Sequence, residues 1–232
     1  MYNYLICFNP CVGLVEDIVL RASLAALTAF LASLFLGAKL IEKLRDYKVS
    51  ENTAKTHSPE LRVLHAGKKD TPTMGGIIIL LSVFLSTALW SNLWDYSIKV
   101  VLFTAMGLAM LGFVDDYLKL TVKDSFGLRD KTKLFFQLCL GLLLGIILYE
   151  HFNGTSVGTR ITLPILKEVE LGWLYVVLVM FYVAWTSNAV NLTDGLDGLA
   201  IGLTVMASLA FSFIAYVVGD WETSRLFGVQ HI

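Results

Sequence analysis

Six stretches of this chain are long and apolar enough to cross a membrane: 18–38, 74–91, 98–117, 132–150, 173–189 and 199–219. A helix needs about 18–20 apolar residues to span hydrocarbon, so each block sits near or above that length. The two shortest blocks are near the minimum, which suits a tilted or partly interfacial helix. Only 16% of the residues are charged, against roughly 25% in soluble domains. The mean hydropathy is +0.68. These features exclude a water-soluble globular domain. The expected fold is all-α: a polytopic transmembrane bundle of about six spans, built as a single domain over 1–232.

Orientation follows from Lys and Arg in the short loops. Segment 39–73 carries eight of the 18 basic residues: Lys39, Lys43, Arg45, Lys48, Lys55, Arg62, Lys68 and Lys69. Segment 118–133 adds Lys119, Lys123, Arg129, Lys131 and Lys133. The alternate loops, 92–97 and 151–172, hold only Arg160 and Lys167. The basic loops are therefore expected in the cytoplasm and the N-terminus outside. Loop 151–172, with Gly154, Gly158, Pro164 and the alternating run Arg160-Ile-Thr-Leu163, predicts a small outer hairpin. The polar residues 220–232 are expected to end outside.

Net charge is −1, so bulk charge singles out no partner, and no nucleic acid is expected. Cys7, Cys11 and Cys139 have neither zinc spacing nor a disulfide framework. His57, His65, His151 and His231 are scattered and receive no metal role.

Chemistry concentrates in two motifs. In Asn188-Ala-Val-Asn-Leu-Thr-Asp-Gly-Leu-Asp-Gly-Leu-Ala200, Asn188, Asn191, Asp194 and Asp197 recur every third residue. That spacing drifts about half a turn over nine residues, so one continuous helix cannot present all four together. Gly195 and Gly198 permit a break, and a helix restarting after Thr193-Asp194 can cap itself and offer N–H groups to an anion. The bland reading is a loop rich in turn residues.

The second motif is Gly112-Phe-Val-Asp-Asp-Tyr-Leu-Lys119, whose Asp115 and Asp116 close the third span. A charge at mid-bilayer costs about 2.5–3.5 kcal/mol, less at the interface. An acidic pair at a helix C-terminus also opposes the dipole, which favours a bound cation such as Mg²⁺ on Asp115 and Asp116, or a proton-accepting role. The bland reading is a solvated helix end, with Lys119 pairing four residues on. Before the second span, Lys68-Lys-Asp-Thr-Pro-Thr-Met-Gly-Gly76 offers Lys68 and Thr73 to phosphate, or merely anchors and caps a helix. Carboxylates, a divalent cation, lysines and amides at one cytoplasmic membrane face suit a nucleotide diphosphate. A lipid acceptor would arrive through the bilayer, for phosphoryl transfer by positioning and charge neutralisation.

Thr71-Pro-Thr-Met-Gly-Gly76, Phe113-Val-Asp-Asp-Tyr-Leu-Lys119 and the 188–200 stretch closely resemble the phospho-N-acetylmuramoyl-pentapeptide transferase (MraY) family. That family is a branch of the polyprenyl-phosphate N-acetylhexosamine-1-phosphate transferases, and the resemblance runs from about residue 20 to the end. It implies transfer of phospho-MurNAc-pentapeptide from UDP-MurNAc-pentapeptide to undecaprenyl phosphate, giving lipid I and UMP with Mg²⁺, at the cytoplasmic face of the bacterial inner membrane. It implies roles for Asp115 and Asp116 as proton acceptor and metal or diphosphate partners. Asn188, Asn191, Asp194 and Asp197 would line the nucleotide side, and Lys68, Thr73, Lys119, Lys123 and Lys131 would surround the phosphates and uridine. A homodimer is compatible.

Family members have about ten spans, with a third aspartate and a histidine-rich loop after the sixth. The sequence stops at Ile232, so the expectation is the first half of an active site, inactive alone. The alternatives are a related UDP-N-acetylhexosamine transferase, or a transporter whose broken helices form a midplane site.

Overall fold

The computed structural model describes residues 17–46, 74–121, 127–155, 158–163, 167–196, 198–229 and 231. In chain order they form α1 (Ile18–Asp46), α2 (Gly76–Trp90), α3 (Tyr96–Thr121), α4 (Asp130–Phe152), β1 (Arg160–Leu163), β2 (Lys167–Glu170), α5 (Leu174–Thr193), α6 (Leu199–Gly219) and α7 (Trp221–Phe227). The chain is a multi-pass, all-α membrane protein. Five helices, α1, α3, α4, α5 and α6, are long and apolar enough to span.

The second expected span differs. α2 has 15 residues, about 22 Å of helix against the roughly 30 Å of hydrocarbon. It stops at Ser91, whose backbone is extended, and starts after Met74, whose φ of 68° is left-handed. The predicted outer hairpin is present: β1 pairs antiparallel with β2, Arg160 opposite Glu170 and Leu163 opposite Lys167. Residues 220–229 fold back into helix as α7, started by Asp220, whose carboxylate accepts from the Thr223 N–H.

The chain divides into two compact units, 1–133 and 134–232. Unit 1 holds α1, α2, α3 and the first residues of α4. Its helices α1 and α2 pack closely, Gly37 against Ile78, and are also joined by polar atoms: Ser86 Oγ donates to the Ala25 carbonyl at 2.6 Å, and Trp90 Nε1 donates to Thr28 Oγ1 at 3.0 Å. In lipid, where tails are as apolar as leucine, such bonds and small side chains hold helices together.

Unit 2 uses close approach. Gly141 and Gly145 lie one turn apart on α4, and a Cβ on either would come within 2.8 Å of the Met180 or Val176 carbonyl of α5. Leu144, Tyr149, Val176, Val183 and Ala184 form the small apolar core of that contact. Tyr149 stacks on Trp173 at 4.5 Å between ring centres. Elsewhere the large apolar side chains face outward, as expected where the solvent is hydrocarbon.

Candidate active site

Adjacent residues on a helix point about 100° apart, so Asp115 and Asp116 meet different surroundings although both reach Lys119. Asp115, 11% exposed, faces the turn that joins α3 to α4. Its Oδ1 accepts the Leu128 N–H at 2.8 Å, and its Oδ2 lies 2.7 Å from Lys119 Nζ and 4.0 Å from Lys133 Nζ. Gly127 makes this possible. Its φ is +89°, and a Cβ there would sit 2.5 Å from Asp115 Oδ1, so only glycine lets the backbone come this close.

Asp116, 37% exposed, is held more loosely, with Lys119 Nζ 3.2 Å from its Oδ1. Asp116 lines an apolar groove of about 430 Å³ between α2 and α3, walled by Met74, Ile77, Phe84, Met110 and Phe113. Lys119, 44% exposed, bridges the two carboxylates from the following turn. The i+4 ion pair of the bland reading is therefore present, yet it joins a larger cluster in which two cations and one backbone N–H hold two carboxylates.

Unit 2 carries the other set. α5 ends at Thr193, so the helix break falls between Asn191 and Asp194. Asn188 is half-buried. Its Nδ2 donates to Gln137 Oε1 at 2.7 Å and to the Ala184 carbonyl at 2.8 Å, which leaves its side-chain oxygen to accept. Gln137 is 0% exposed and donates to Ser187 Oγ at 3.0 Å. Asn191 and Asp194 are exposed, and Asp194 is the C-cap of α5. The expected self-capping after Thr193-Asp194 does not occur. α6 begins at Leu199, and its N-cap is Gly198 at φ 83°, with no side-chain bond. The left-handed turn excludes the extended backbone that a Thr or Asp cap requires.

Lys131 lies exposed in the first turn of α4. Lys68, Thr73, Lys123 and Asp197 lie outside the described residues. The structure thus brings together Asp115, Asp116 and Lys119 within unit 1, and adds Lys133 and the Gly127-Leu128 turn. Within unit 2 it joins Asn188 to Gln137 and Ser187. Gln137 was legible as a polar residue in an apolar span, four residues after Lys133. The Gly127 contact left no such signal.

Among the described residues, no group of three or more His, Cys, Asp or Glu side chains gathers as a metal cage. Mg²⁺ does not require one. It commonly takes one or two carboxylates and completes its shell with water and substrate phosphate. Asp116, a hard oxygen donor half open to a groove, fits that pattern. Asp115 fits it less well, because both its oxygens are already engaged.

The described helices thus carry a cluster of two carboxylates and two lysines, one member of which, Asp116, lines an apolar groove. Residues 98–229 match the model of Glycosyl transferase family 4, and residues 68–80 match the Phospho-N-acetylmuramoyl-pentapeptide-transferase signature 1. The chain belongs to Glycosyl transferase family 4, among the polyprenyl-phosphate hexosamine-1-phosphate transferases that include the phospho-N-acetylmuramoyl-pentapeptide transferases. Members of this family are glycosyl-phosphate transferases, with a polyprenyl phosphate and a UDP-sugar as substrates.

Proposed function

We propose that the substrates are UDP-MurNAc-pentapeptide and undecaprenyl phosphate, and the products lipid I and UMP, at the cytoplasmic face of a bacterial inner membrane. The observation that carries this reading is the unequal treatment of the acidic pair. Asp115 is tied to the Leu128 amide and Lys119, whereas Asp116 opens onto an apolar groove beside the same lysine. That groove suits a polyprenyl tail, and Lys119 and Lys133 suit the phosphates of donor and acceptor.

In the transfer, an oxygen of the lipid phosphate bonds to the phosphorus that carries the sugar, and the bond from that phosphorus to UMP breaks. Lys119 neutralises charge on the reacting oxygens. Asp116 takes a proton from the lipid phosphate where one is present. Asp115 sets the height of Lys119 and of the Gly127-Leu128 turn. Asn188, with both amide hydrogens committed, offers an acceptor to an N–H donor such as uracil. Mg²⁺ belongs to this reading: Asp116 would hold it where the lipid phosphate arrives already deprotonated, and the ion would neutralise charge on the diphosphate.

The test is Mg²⁺-dependent UMP release by the purified chain, alone and joined to the family's later helices, with undecaprenyl phosphate as acceptor. Release is expected with UDP-MurNAc-pentapeptide, and Asp116→Asn is expected to reduce it at least about 100-fold, the range of a lost acid–base group. Release with UDP-N-acetylglucosamine alone would transfer the assignment to the related hexosamine enzymes. No release in any form would overturn it.

A further inference from the structure

A second cavity lies at the other end of unit 1, about 30 Å along α3 from the carboxylates. It holds about 340 Å³, between the start of α1, the end of α2 and the start of α3. Its walls carry charges of opposite sign. Arg21 comes from the first turn of α1, and Asp95 precedes α3. Among the described residues no ion pair joins them, and the cavity lies between. Ala22 and Ala25 make the room, since larger side chains on α1 would fill it.

The walls are held in place. Trp90 is fixed through its indole N–H to Thr28, Asn92 accepts the Trp94 N–H at 3.1 Å, and Asp95 Oδ1 accepts the N–H groups of Ser97 and Ile98 at 2.8 and 3.3 Å. Those bonds use one carboxylate oxygen of Asp95 and leave the other for a donor.

An arginine at the end of a spanning helix is expensive unless it is used, and simple anchoring by snorkelling would account for it on a featureless surface. Here it borders a cavity that also offers a carboxylate. The helix faces around it, with Ile18, Val19 and Leu20 more than half exposed, are lipid-facing. We propose that this cavity binds the headgroup of a zwitterionic phospholipid with a primary ammonium, its phosphate on Arg21 and its ammonium on Asp95. A guanidinium fork matches phosphate oxygens, and a primary ammonium can donate to a carboxylate where a trimethylammonium cannot. The site is independent of the transfer reaction and of its substrates.

The test is lipid retention by native mass spectrometry of the 232-residue chain, with phosphatidylethanolamine, phosphatidylcholine and phosphatidylglycerol of matched acyl chains. Phosphatidylethanolamine is expected to bind at least fivefold more tightly than the other two. Arg21→Gln is expected to abolish that binding and Arg21→Lys to keep most of it. Asp95→Asn is expected to make ethanolamine and choline lipids equivalent while keeping the α3 cap, because Asn caps a helix as well as Asp. Equal retention of the three lipids, or no effect of Arg21→Gln in a chain with unchanged thermal unfolding, would overturn the proposal. So would competition by soluble phosphoethanolamine at the concentration that lipid requires.

Discussion

The two units bury polar groups by different physics. Unit 1 buries a carboxylate, Asp115, as well as the neutral Ser82 and Ser86, and surrounds that carboxylate with a lysine, a second lysine and a backbone N–H brought close by Gly127. Among the described residues unit 2 buries only neutral polar groups, of which the largest is the amide of Gln137, satisfied by Ser187 and Asn188. A charge in low dielectric demands counter-charge, so unit 1 places its cluster near a helix end, where lysines can reach it while their stems lie along the helix. A neutral amide demands only partners, so unit 2 can place Gln137 inside the α4–α5 contact.

The largest effect that would break this contrast is predicted at Gly141. A leucine there cannot fit against the Met180 carbonyl, and Gly141→Leu should destabilise unit 2 by about 1–3 kcal/mol or more. Thermal unfolding in detergent would show it, with Gly202→Leu as control, because nothing lies within 4 Å of a Cβ at Gly202. Equal melting of the two variants would mean that close approach does not hold α4 to α5.

Next comes Gln137→Leu, which strips Ser187 and Asn188 of a partner and should cost about 1–3 kcal/mol. A double-mutant cycle with Ser187→Ala measures the shared part. If the two changes add without coupling, the amide network is not a unit.

Gly127→Ala should cost about 1–2 kcal/mol for its left-handed backbone, plus the displacement of Asp115. Gly154→Ala has a similar φ of +84° and open space around it, so it bears the backbone cost alone. The difference between the two in UMP release isolates the hold of the 127–128 turn on Asp115, and a zero difference would remove that turn from the site.

The smallest effect is at Asp220, which repeats in unit 2 the device of Asp115. The Thr223 N–H, and then the Thr223 hydroxyl, hold its carboxyl below the ordinary carboxylate range. A depressed folded value contributes stability above the unfolded pKa of about 3.9, and loses it as pH falls through the lower folded value. Protection factors of the α7 amides, exchange rates normalised to the intrinsic rate at each pH, should therefore fall below about pH 4, and Asp220→Asn should flatten that dependence. An unchanged profile in the variant would place the acid sensitivity elsewhere.

Much of the fold was legible before any coordinates. The apolar blocks gave five of the six spans, and Gly and Pro around 154–164 gave the hairpin. The inward face of α4 was also there to be read: Lys133, Gln137, Gly141, Gly145 and Tyr149 recur every fourth residue, the spacing of one helix face. That the second block sits near the minimum length was legible, whereas its exact start was not, because hydropathy counts the apolar residues around it whether or not the backbone at Met74 continues the helix. The capping of α6 was misread for a related reason. Thr193 and Asp194 have the right side chains, and the backbone conformation at Gly198 selected another start.

The sequence by itself determined that this chain lives in a membrane as helices, and that its acids, amides and lysines cluster at a few helix ends. Those conclusions rest on length, periodicity and composition, which are local properties. Only the tertiary structure decided that Asp115 is tied down and Asp116 left open, that Gln137 commits Asn188, and that Arg21 and Asp95 face one cavity. Each of these depends on segments distant in sequence meeting within a few ångströms, and no local pattern encodes which of two adjacent side chains will meet the neighbouring turn.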